Sequence, residues 1–174
     1  MKRFLVTGMS GTGKSTVIQE LQRRGYKAID TDWDSKWEEP PATPSDGPGW
    51  LWREDQIGTL LDTEDADALF VSACVENQGR FYPRFDHIVL LSASSQLTRE
   101  RLARRTTNPY GQLPVEVDEV LRFKTTVEPR LRRSATVEIA TGQPLRQIVE
   151  AIVRLIEPDQ GLRARDPTHA RPHK

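Results

Sequence analysis

The sequence predicts an α/β protein in which a parallel sheet is flanked by helices. Short apolar runs at 3–7, 26–30, 68–75, 87–91 and 135–140 have the length and composition of strands. Amphipathic helical patterns separate them, and this alternation is typical of parallel sheets. The run 68–75 is apolar enough to be a central strand. With 174 residues, the chain is long enough for one domain with a substantial core.

A glycine-rich loop follows the first predicted strand. Residues 8–15 fit the pattern G-x-x-x-x-G-K-[ST] at every fixed position. The helical stretch 15–24 comes next, and Gly25 is a candidate C-terminal cap. Such a loop turns backbone N–H groups inward around a phosphate, and the helix N-terminus adds its positive dipole end. The pattern therefore predicts that the chain binds a nucleoside triphosphate.

The same pattern assigns roles to individual residues and predicts ATP and Mg²⁺ as cofactors. Lys14 would reach the β- and γ-phosphates, and the Ser15 hydroxyl would ligate Mg²⁺. The nucleotide-binding residues expected in this loop are Gly8, Ser10, Gly11, Thr12, Gly13, Lys14, Ser15 and Thr16.

Composition excludes several other classes of function. The 25 basic residues balance the 25 acidic ones, so no net charge would attract nucleic acid or a membrane surface. The single cysteine, Cys74, excludes a disulfide scaffold and a cysteine zinc site, and a buried structural thiol is expected. No apolar run approaches the roughly 18 residues of a membrane span. We expect a cytoplasmic protein that acts on a small molecule.

Two aspartates close the second predicted strand. Asp30 and Asp32 alternate along an extended segment, so both carboxylates should lie on the same side, near the glycine loop. There they could hold a Mg²⁺-bound water and accept a proton from an attacking hydroxyl. The alternative is an Asx-type turn in which the acids only cap the next segment.

A tryptophan-rich insert comes next. All four tryptophans lie between residues 33 and 52, around a proline- and glycine-rich stretch at 38–49 that predicts a long loop. The rings, Trp33 among them, would either close over an apolar or planar substrate group or anchor the loop to the core. These two interpretations are equally open. A helix is expected over 53–62.

Polar residues follow the third predicted strand. Asn77, Arg80 and Arg84 could bind an acceptor substrate, because arginine suits a carboxylate or a phosphate. The alternative for either arginine is a solvated loop charge. No acid ends this strand, which favours Asp30 or Asp32 for the magnesium role.

The second half of the chain carries a basic helix and a connector. On the helix predicted at 94–105, Arg101 and Arg105 share one face. Because the turn-rich connector 106–114 follows them, these arginines could belong to a lid that closes during phosphoryl transfer. The alternative is that they only complement the negative end of their own helix dipole. A long helix over 115–133 should bend near 128–129. The turn 141–144 then leads into a last amphipathic helix.

With these elements in place, the chain resembles the small P-loop kinases, such as nucleoside monophosphate, shikimate and gluconate kinases, over residues 2–157. The resemblance implies a three-layer P-loop NTPase fold with a five-stranded parallel sheet in the order 2-3-1-4-5. It also implies a substrate-binding insert (33–63) and a lid (105–115). Residues 1–157 would form one kinase domain, and the polar stretch 158–174 a flexible tail.

The resemblance also assigns residues. Asp30 and Asp32 look like the paired acids of the shikimate-kinase branch, the first near magnesium and the second near the acceptor hydroxyl. Residues 101–105 fit Arg-[Ile/Leu]-x-x-Arg, which implies that Arg101 packs on the adenine or phosphates and that Arg105 reaches the transferred phosphoryl group. The adenine-wrapping residues would be Gly142, Gln143 and Pro144.

The main hypothesis is an ATP- and Mg²⁺-dependent kinase that phosphorylates a hydroxyl group, with Asp32 orienting or deprotonating the acceptor. A carboxylate beside an incoming phosphate would repel it, so the aspartate pair suits a hydroxyl acceptor. The alternative enzyme is a nucleoside monophosphate kinase in which Arg53, Arg80 and Arg84 bind the acceptor phosphate. A nucleotide-dependent switch or regulatory ATPase is the rival from another class. The segment 72–76 lacks the motifs of both adenylate and shikimate kinases, so the branch stays open.

Overall fold

A computed structural model of the chain describes residues 1–32, 34–42, 49–106 and 110–157. Its strands are β1 (Lys2–Thr7), β2 (Lys27–Asp30), β3 (Glu38–Glu39), β4 (Leu51–Trp52), β5 (Ala68–Ala73), β6 (His87–Ser92) and β7 (Val137–Ala140). Its α-helices are α1 (Lys14–Arg23), α2 (Glu54–Leu61), α3 (Ser95–Arg104), α4 (Pro114–Thr126), α5 (Glu128–Ser134) and α6 (Leu145–Val153). Short 3-10 helices run over Glu76–Arg84 and Arg154–Ile156.

Five of the strands form a parallel sheet in the order β2-β5-β1-β6-β7. Counted along the chain within this sheet, the order is 2-3-1-4-5, so the predicted fold class is confirmed. The two central neighbours, β5 and β1, pair over their whole length, from Lys2 opposite Ala68 to Thr7 opposite Ala73. β5 is buried at every position, as its apolar run predicted.

Helices cover both faces of the sheet. On one face, α1 and α6 pack against Phe4, Phe70 and Val89 through apolar stripes at helical spacing. On the other face, Leu5 and Val71 contact a second cluster that includes α2 and the tryptophan-rich insert. Successive residues of β1 therefore point into different layers, as the twofold period of a strand requires. The predicted bend in the long helix is also present, since α4 ends at Thr126 and α5 begins at Glu128, with Pro129 in its first turn.

The insert is more ordered than the sequence predicted. In place of a long loop from residue 38, β3 and β4 pair as an antiparallel hairpin, with Glu38 opposite Trp52. Trp52 is 1% exposed, its ring lies against Phe81 and Phe85, and its indole N–H donates to the Thr31 hydroxyl at 2.8 Å. Trp37 and Trp52 thus anchor the insert to the core. Trp33 and residues 43–48 lie outside the described residues.

The 3-10 helix Glu76–Arg84 is a second difference from the sequence prediction, which assigned no regular structure there. Its first turn clamps the hairpin: the Asn77 side-chain oxygen accepts from the Trp52 backbone N–H at 2.8 Å, and its Nδ2 donates to the Trp52 carbonyl at 2.9 Å. Gln78, 2% exposed, donates to Thr7 Oγ1 and to the Tyr82 hydroxyl. This segment therefore joins the insert to the end of β1.

No helix within the described residues is long and apolar enough to cross a membrane. The predicted tail, residues 158–174, lies outside those residues.

Replacing Trp52 with alanine should lower the free energy of unfolding by about 3–5 kcal/mol, because a large buried ring and its contacts are removed. Trp52→Phe keeps most of the ring but loses the bond to Thr31, so it should cost less, about 1–2 kcal/mol. Urea denaturation followed by far-ultraviolet circular dichroism measures both. An alanine variant with the native midpoint would show that Trp52 does not anchor the insert.

Candidate active site

The glycine loop adopts a conformation that needs glycine. Gly13 caps the start of α1 with φ +97°, and Gly8 has φ +151°. A Cβ on Gly8 would lie 2.4 Å from the Leu91 carbonyl oxygen, a backbone atom of β6. Thr12 is fully buried and closes the loop through its backbone N–H and its hydroxyl, both of which donate to the Met9 carbonyl. The loop is thus a preformed backbone cradle at a helix N-terminus, and it fits a phosphate group.

A cavity of about 430 Å³ opens over this loop. Seven of the eight predicted loop residues line it, from Ser10 to Thr16, while Gly8 does not. Gln143 also lines it, but its neighbours Gly142 and Pro144 do not. The remaining walls are Val17, Arg101, Arg104, Arg105, Thr141, Leu145 and Ile148. The size and the polar loop suit a nucleotide, with α6 offering an apolar wall.

Lys14 is 7% exposed, and its ammonium group is held by two partners. Nζ donates to the Gly8 carbonyl at 2.9 Å and lies 3.0 Å from Asp32 Oδ2. Burial is the largest single effect and lowers the pKa of Lys14, but the charge and the hydrogen bond of Asp32, with smaller contributions from Cys74 and Asp30, together outweigh it, and the pKa lies above its ordinary value. The lysine therefore stays charged at neutral pH.

The two aspartates separate in the structure. Asp32 touches Lys14, and its Oδ1 accepts from the Cys74 backbone N–H at 3.2 Å. Asp30 Oδ1 accepts from Ser72 Oγ at 3.1 Å and from the Asp32 backbone N–H at 3.3 Å, which is the Asx-type turn. Asp32 lines one of the two cavities beside the glycine loop, and Asp30 lines neither of them. The expectation that both acids work side by side thus receives support for Asp32 alone, and a magnesium role for Asp30 stays a prediction.

A second cavity, of about 180 Å³, adjoins the first. Ser10 and Lys14 line both cavities, so the two meet at the glycine loop. The further walls of the second cavity are Met9, Asp32, Glu38, Trp50, Cys74, Tyr110, Glu119, Val120 and Phe123. Tyr110 donates its hydroxyl to Glu119 Oε2 at 2.6 Å. A group bound here would lie beside Lys14 and Asp32, next to the phosphate cradle.

The two arginines of α3 have different surroundings. Arg101 donates to the carbonyls of Gly11 and Thr12 and, at 2.8 and 2.6 Å, to the hydroxyl and the carbonyl of Thr141. It therefore holds the phosphate loop against the end of β7. Arg105 donates to Ser10 Oγ at 3.1 Å and to the Tyr110 carbonyl at 3.3 Å, so its guanidinium lies where the two cavities meet.

The other predicted acceptor arginines form ion pairs away from the two cavities. Arg53 pairs with Glu39, Arg80 with Glu54, and Arg84 with Asp62. All three bind acids within or near the insert and α2, and none lines either of the two cavities.

Asn77 also lines neither cavity, because both ends of its amide bind the backbone of Trp52. Gln78 is likewise used within the fold, at the end of β1. These contacts give no support to acceptor recognition by this segment, which stays a prediction. The remaining predicted substrate residue, Trp33, is outside the described residues.

Sequence reasoning missed most of the second cavity. Glu119, Val120 and Phe123 are spaced along one side of α4, and they were counted only as part of a helical pattern. Glu38 is an acidic residue but is only 4% exposed, whereas an acidic residue in a proline-rich stretch is normally expected to face solvent. One signal in the sequence could have identified α4 as part of this cavity: the acidic residue Glu119 lies on the same side of the helix as apolar residues.

Cys74 is half-buried on the wall of the second cavity, in place of the fully buried thiol that the sequence predicted. Burial raises the pKa of its thiol to about 11, although the charge of Lys14 acts in the opposite direction. At neutral pH the side chain is an uncharged thiol, so it contributes shape and not nucleophilicity.

Comparisons with known proteins agree with this geometry. A family model described as an AAA domain matches residues 5–122. A protein named "Putative adenylate kinase", from Archaeoglobus fulgidus, is 25% identical over 171 residues, covering 92% of this chain and 85% of that protein.

Solved structures show the same fold. The shikimate kinase of Acinetobacter baumannii in complex with shikimate superposes with a TM-score of 0.62 at 17% identity, covering 90% of this chain and 93% of its own. A gluconokinase from Sinorhizobium meliloti 1021 gives a TM-score of 0.60 at 21% identity, with coverages of 89% and 93%.

Gly8→Ala should destabilise the protein by a few kcal/mol and weaken ATP binding at least about tenfold, because the new Cβ meets a β6 carbonyl that cannot move aside. Gly58→Ala is the matched control: it lies inside α2, its Cβ would come no closer than 3.8 Å to another atom, and helix propensity should add up to about 1 kcal/mol of stability. Urea denaturation and titration with a fluorescent ATP analogue test both. Normal ATP binding by Gly8→Ala would contradict the hypothesis that this loop binds the phosphates.

The thiol of Cys74 should react with an aromatic disulfide reagent at least about tenfold more slowly in the native protein than in the urea-unfolded chain at about pH 8. Because the pKa is raised, the native rate should keep increasing with pH until it approaches 11. A native rate equal to the unfolded one would show that the fold does not shield the thiol.

Proposed function

This chain belongs to the AAA domain family, among the small P-loop kinases, and we propose that it transfers the γ-phosphoryl group of ATP to a hydroxyl group of a small molecule. One observation carries the proposal: Lys14 and Ser10 are shared by two adjoining cavities, and Asp32 in the second cavity lies 3.0 Å from the Lys14 ammonium. Phosphoryl transfer needs a phosphate cradle and an acceptor site that meet at one cation and one base.

ATP would occupy the larger cavity, with its phosphates on the loop amides and Lys14. The Ser15 hydroxyl lines that cavity and is suited to hold Mg²⁺, whose charge would offset that of the phosphates. A hydroxyl at the start of α1 is an oxygen ligand of the kind that Mg²⁺ takes, whereas a role for Asp30 in holding the ion stays a prediction.

Asp32 would act on the acceptor. Without nucleotide its carboxylate is paired with Lys14, and phosphates would compete for that lysine. The carboxylate is then available to orient the acceptor hydroxyl and take its proton as the oxygen attacks the γ-phosphorus and the bond to the β-phosphate oxygen breaks.

Arg101 and Arg105 of α3 would act on the nucleotide, since both line the larger cavity. Arg105 lies beside Ser10, where the transferred group would pass, and can offset its charge. Arg101 already donates to two loop carbonyls and to Thr141, so its part is to keep the cradle in shape. This differs from the stacking on adenine that the resemblance implied.

A nucleoside monophosphate kinase is the second candidate, since the Archaeoglobus relative is named as an adenylate kinase. Its acceptor phosphate would require cations in the second cavity. Within the described residues, Lys14 is the basic side chain that lines this cavity, and Arg53, Arg80 and Arg84 are paired elsewhere. The geometry therefore favours a hydroxyl acceptor.

Asp32→Asn should lower the rate of phosphoryl transfer by about a hundredfold or more while ATP binds as tightly as before or more tightly, because Lys14 loses its competing partner. ADP release, measured with nucleosides, nucleoside monophosphates, sugars, hydroxy acids and amino alcohols as acceptors, gives the first quantity, and titration with a fluorescent ATP analogue gives the second.

Asp55→Asn, on the exposed start of α2, is the matched control and should behave as the native protein. Lys14→Ala should abolish acceptor-stimulated ADP release. Equal losses of binding and transfer in Asp32→Asn would make that residue structural. ATP binding with no stimulation by any acceptor would favour a regulatory ATPase.

A further inference from the structure

A short segment before α4, residues 110–113, is bonded to that helix through two acidic side chains. The Tyr110 hydroxyl donates to Glu119 Oε2 at 2.6 Å, and the Gly111 backbone N–H donates to Glu116 Oε2 at 2.8 Å. Both acids belong to α4 and lie three residues apart, so they are neighbours on its surface. α4 therefore fixes the position of this segment from one side.

The same segment is held from the other side by the end of α3. Arg105 Nη1 donates to the Tyr110 carbonyl at 3.3 Å, and Gln112 Nε2 donates to the Arg105 carbonyl at 2.9 Å. Gly111 lies so close to α3 that a Cβ at this residue would come 2.7 Å from Leu102 Cδ2. The arginine and the segment therefore hold each other in place.

The end of α3 also contacts the phosphate loop. A Cβ at Gly11 would lie 3.5 Å from Leu102 Cγ, and Leu102 is fully buried. Arg105 Nη2 donates to Ser10 Oγ at 3.1 Å. The guanidinium of Arg105 is thus bound at two points, one on the phosphate loop and the other at the Tyr110 carbonyl.

These two bonds orient Arg105 toward a further ligand. A guanidinium has more N–H groups than the Ser10 hydroxyl and the Tyr110 carbonyl use, so it can bind phosphoryl oxygens without releasing either partner. An arginine side chain has many rotamers, and one that is already oriented loses less freedom when a ligand binds. Stabilisation of charge during phosphoryl transfer depends on donors that are preorganised in this way.

We propose that Tyr110 is a positioning residue for phosphoryl transfer: anchored to α4 by its hydroxyl, it fixes the Arg105 guanidinium where the γ-phosphoryl group of ATP would lie. Tyr110 lines the second cavity and Arg105 the first, so the tyrosine acts through the arginine and not by touching ATP. The inference rests on the proposed function, in which Arg105 offsets the charge of the transferred group.

The contribution of the γ-phosphoryl group to binding tests this role. It is measured as the affinity for a non-hydrolysable ATP analogue divided by the affinity for ADP, both from calorimetric titration of the full-length protein with Mg²⁺. Tyr110→Phe removes only the hydroxyl and should lower this ratio about fivefold while ADP affinity stays within about twofold. Arg105→Ala should lower the ratio at least about tenfold. A purely structural role for Tyr110 would weaken both ligands equally and overturn the proposal.

Two sets of variants serve as controls. Tyr26→Phe removes the same atom from a ring that packs edge-on against Phe70 and lines neither cavity, so both affinities should be unchanged. Glu116→Ala removes the acceptor of the Gly111 N–H and should lower the ratio about fivefold, whereas Glu116→Gln keeps an oxygen there and should restore it. Native ratios in Tyr110→Phe and in Glu116→Ala contradict the positioning role.

The same titrations separate this inference from the proposed function. A ratio that falls in Arg105→Ala but not in Tyr110→Phe would keep the role of Arg105 and overturn that of Tyr110. A ratio that Arg105→Ala leaves unchanged would overturn both roles. A lowered ratio in Tyr110→Phe, with no ADP release from the native protein for any acceptor, would overturn phosphoryl transfer and leave the positioning of Arg105 by Tyr110 standing.

Discussion

A buried ammonium group holds the site together. Lys14 is nearly inaccessible to water, so its charge must be compensated within the protein, and the Gly8 carbonyl and the Asp32 carboxylate do so. The pair joins the start of α1 to the segment that follows β2, two parts of the chain that are distant in sequence. Because the same lysine faces both cavities, the compensation that stabilises the folded protein also sets where a phosphate and an acceptor would meet.

The tryptophan-rich insert gives that segment its position. Thr31, between the two aspartates, donates to the Ser72 carbonyl and accepts from the indole of Trp52, and both side chains are buried. Asn77 holds the backbone of Trp52 from the other side. The hairpin is thereby attached to the sheet edge, and Glu38 and Trp50 are carried to the wall of the second cavity. The contacts that pack the insert against the core therefore also position the wall of the second cavity.

Charge is distributed unevenly between the two cavities. The basic side chains of α3 lie on the nucleotide side, where they bind loop carbonyls and Ser10. Other arginines near the insert pair with acids close by and remain outside the cavities. The second cavity is lined by three carboxylates, Lys14 and several apolar side chains. A chain with no net charge can therefore still have a different balance of charge in each of its two cavities.

Much of the fold and half of the site follow from local sequence. The pattern of residues 8–15 needs only adjacent residues, since the glycine conformations and the helix start are properties of that one stretch. The alternating apolar runs predict the parallel sheet, whereas its strand order was implied by the family resemblance. Arg101 and Arg105 could be singled out by their spacing, although the partners of Arg101 could not. The second cavity, in contrast, combines β3, α4 and the segment after β2, and the burial of Glu38 or the pairing of Arg80 depends on which residues approach across the fold. Only the tertiary structure decides such contacts, because a side chain's charge is visible in the sequence and its neighbours are not.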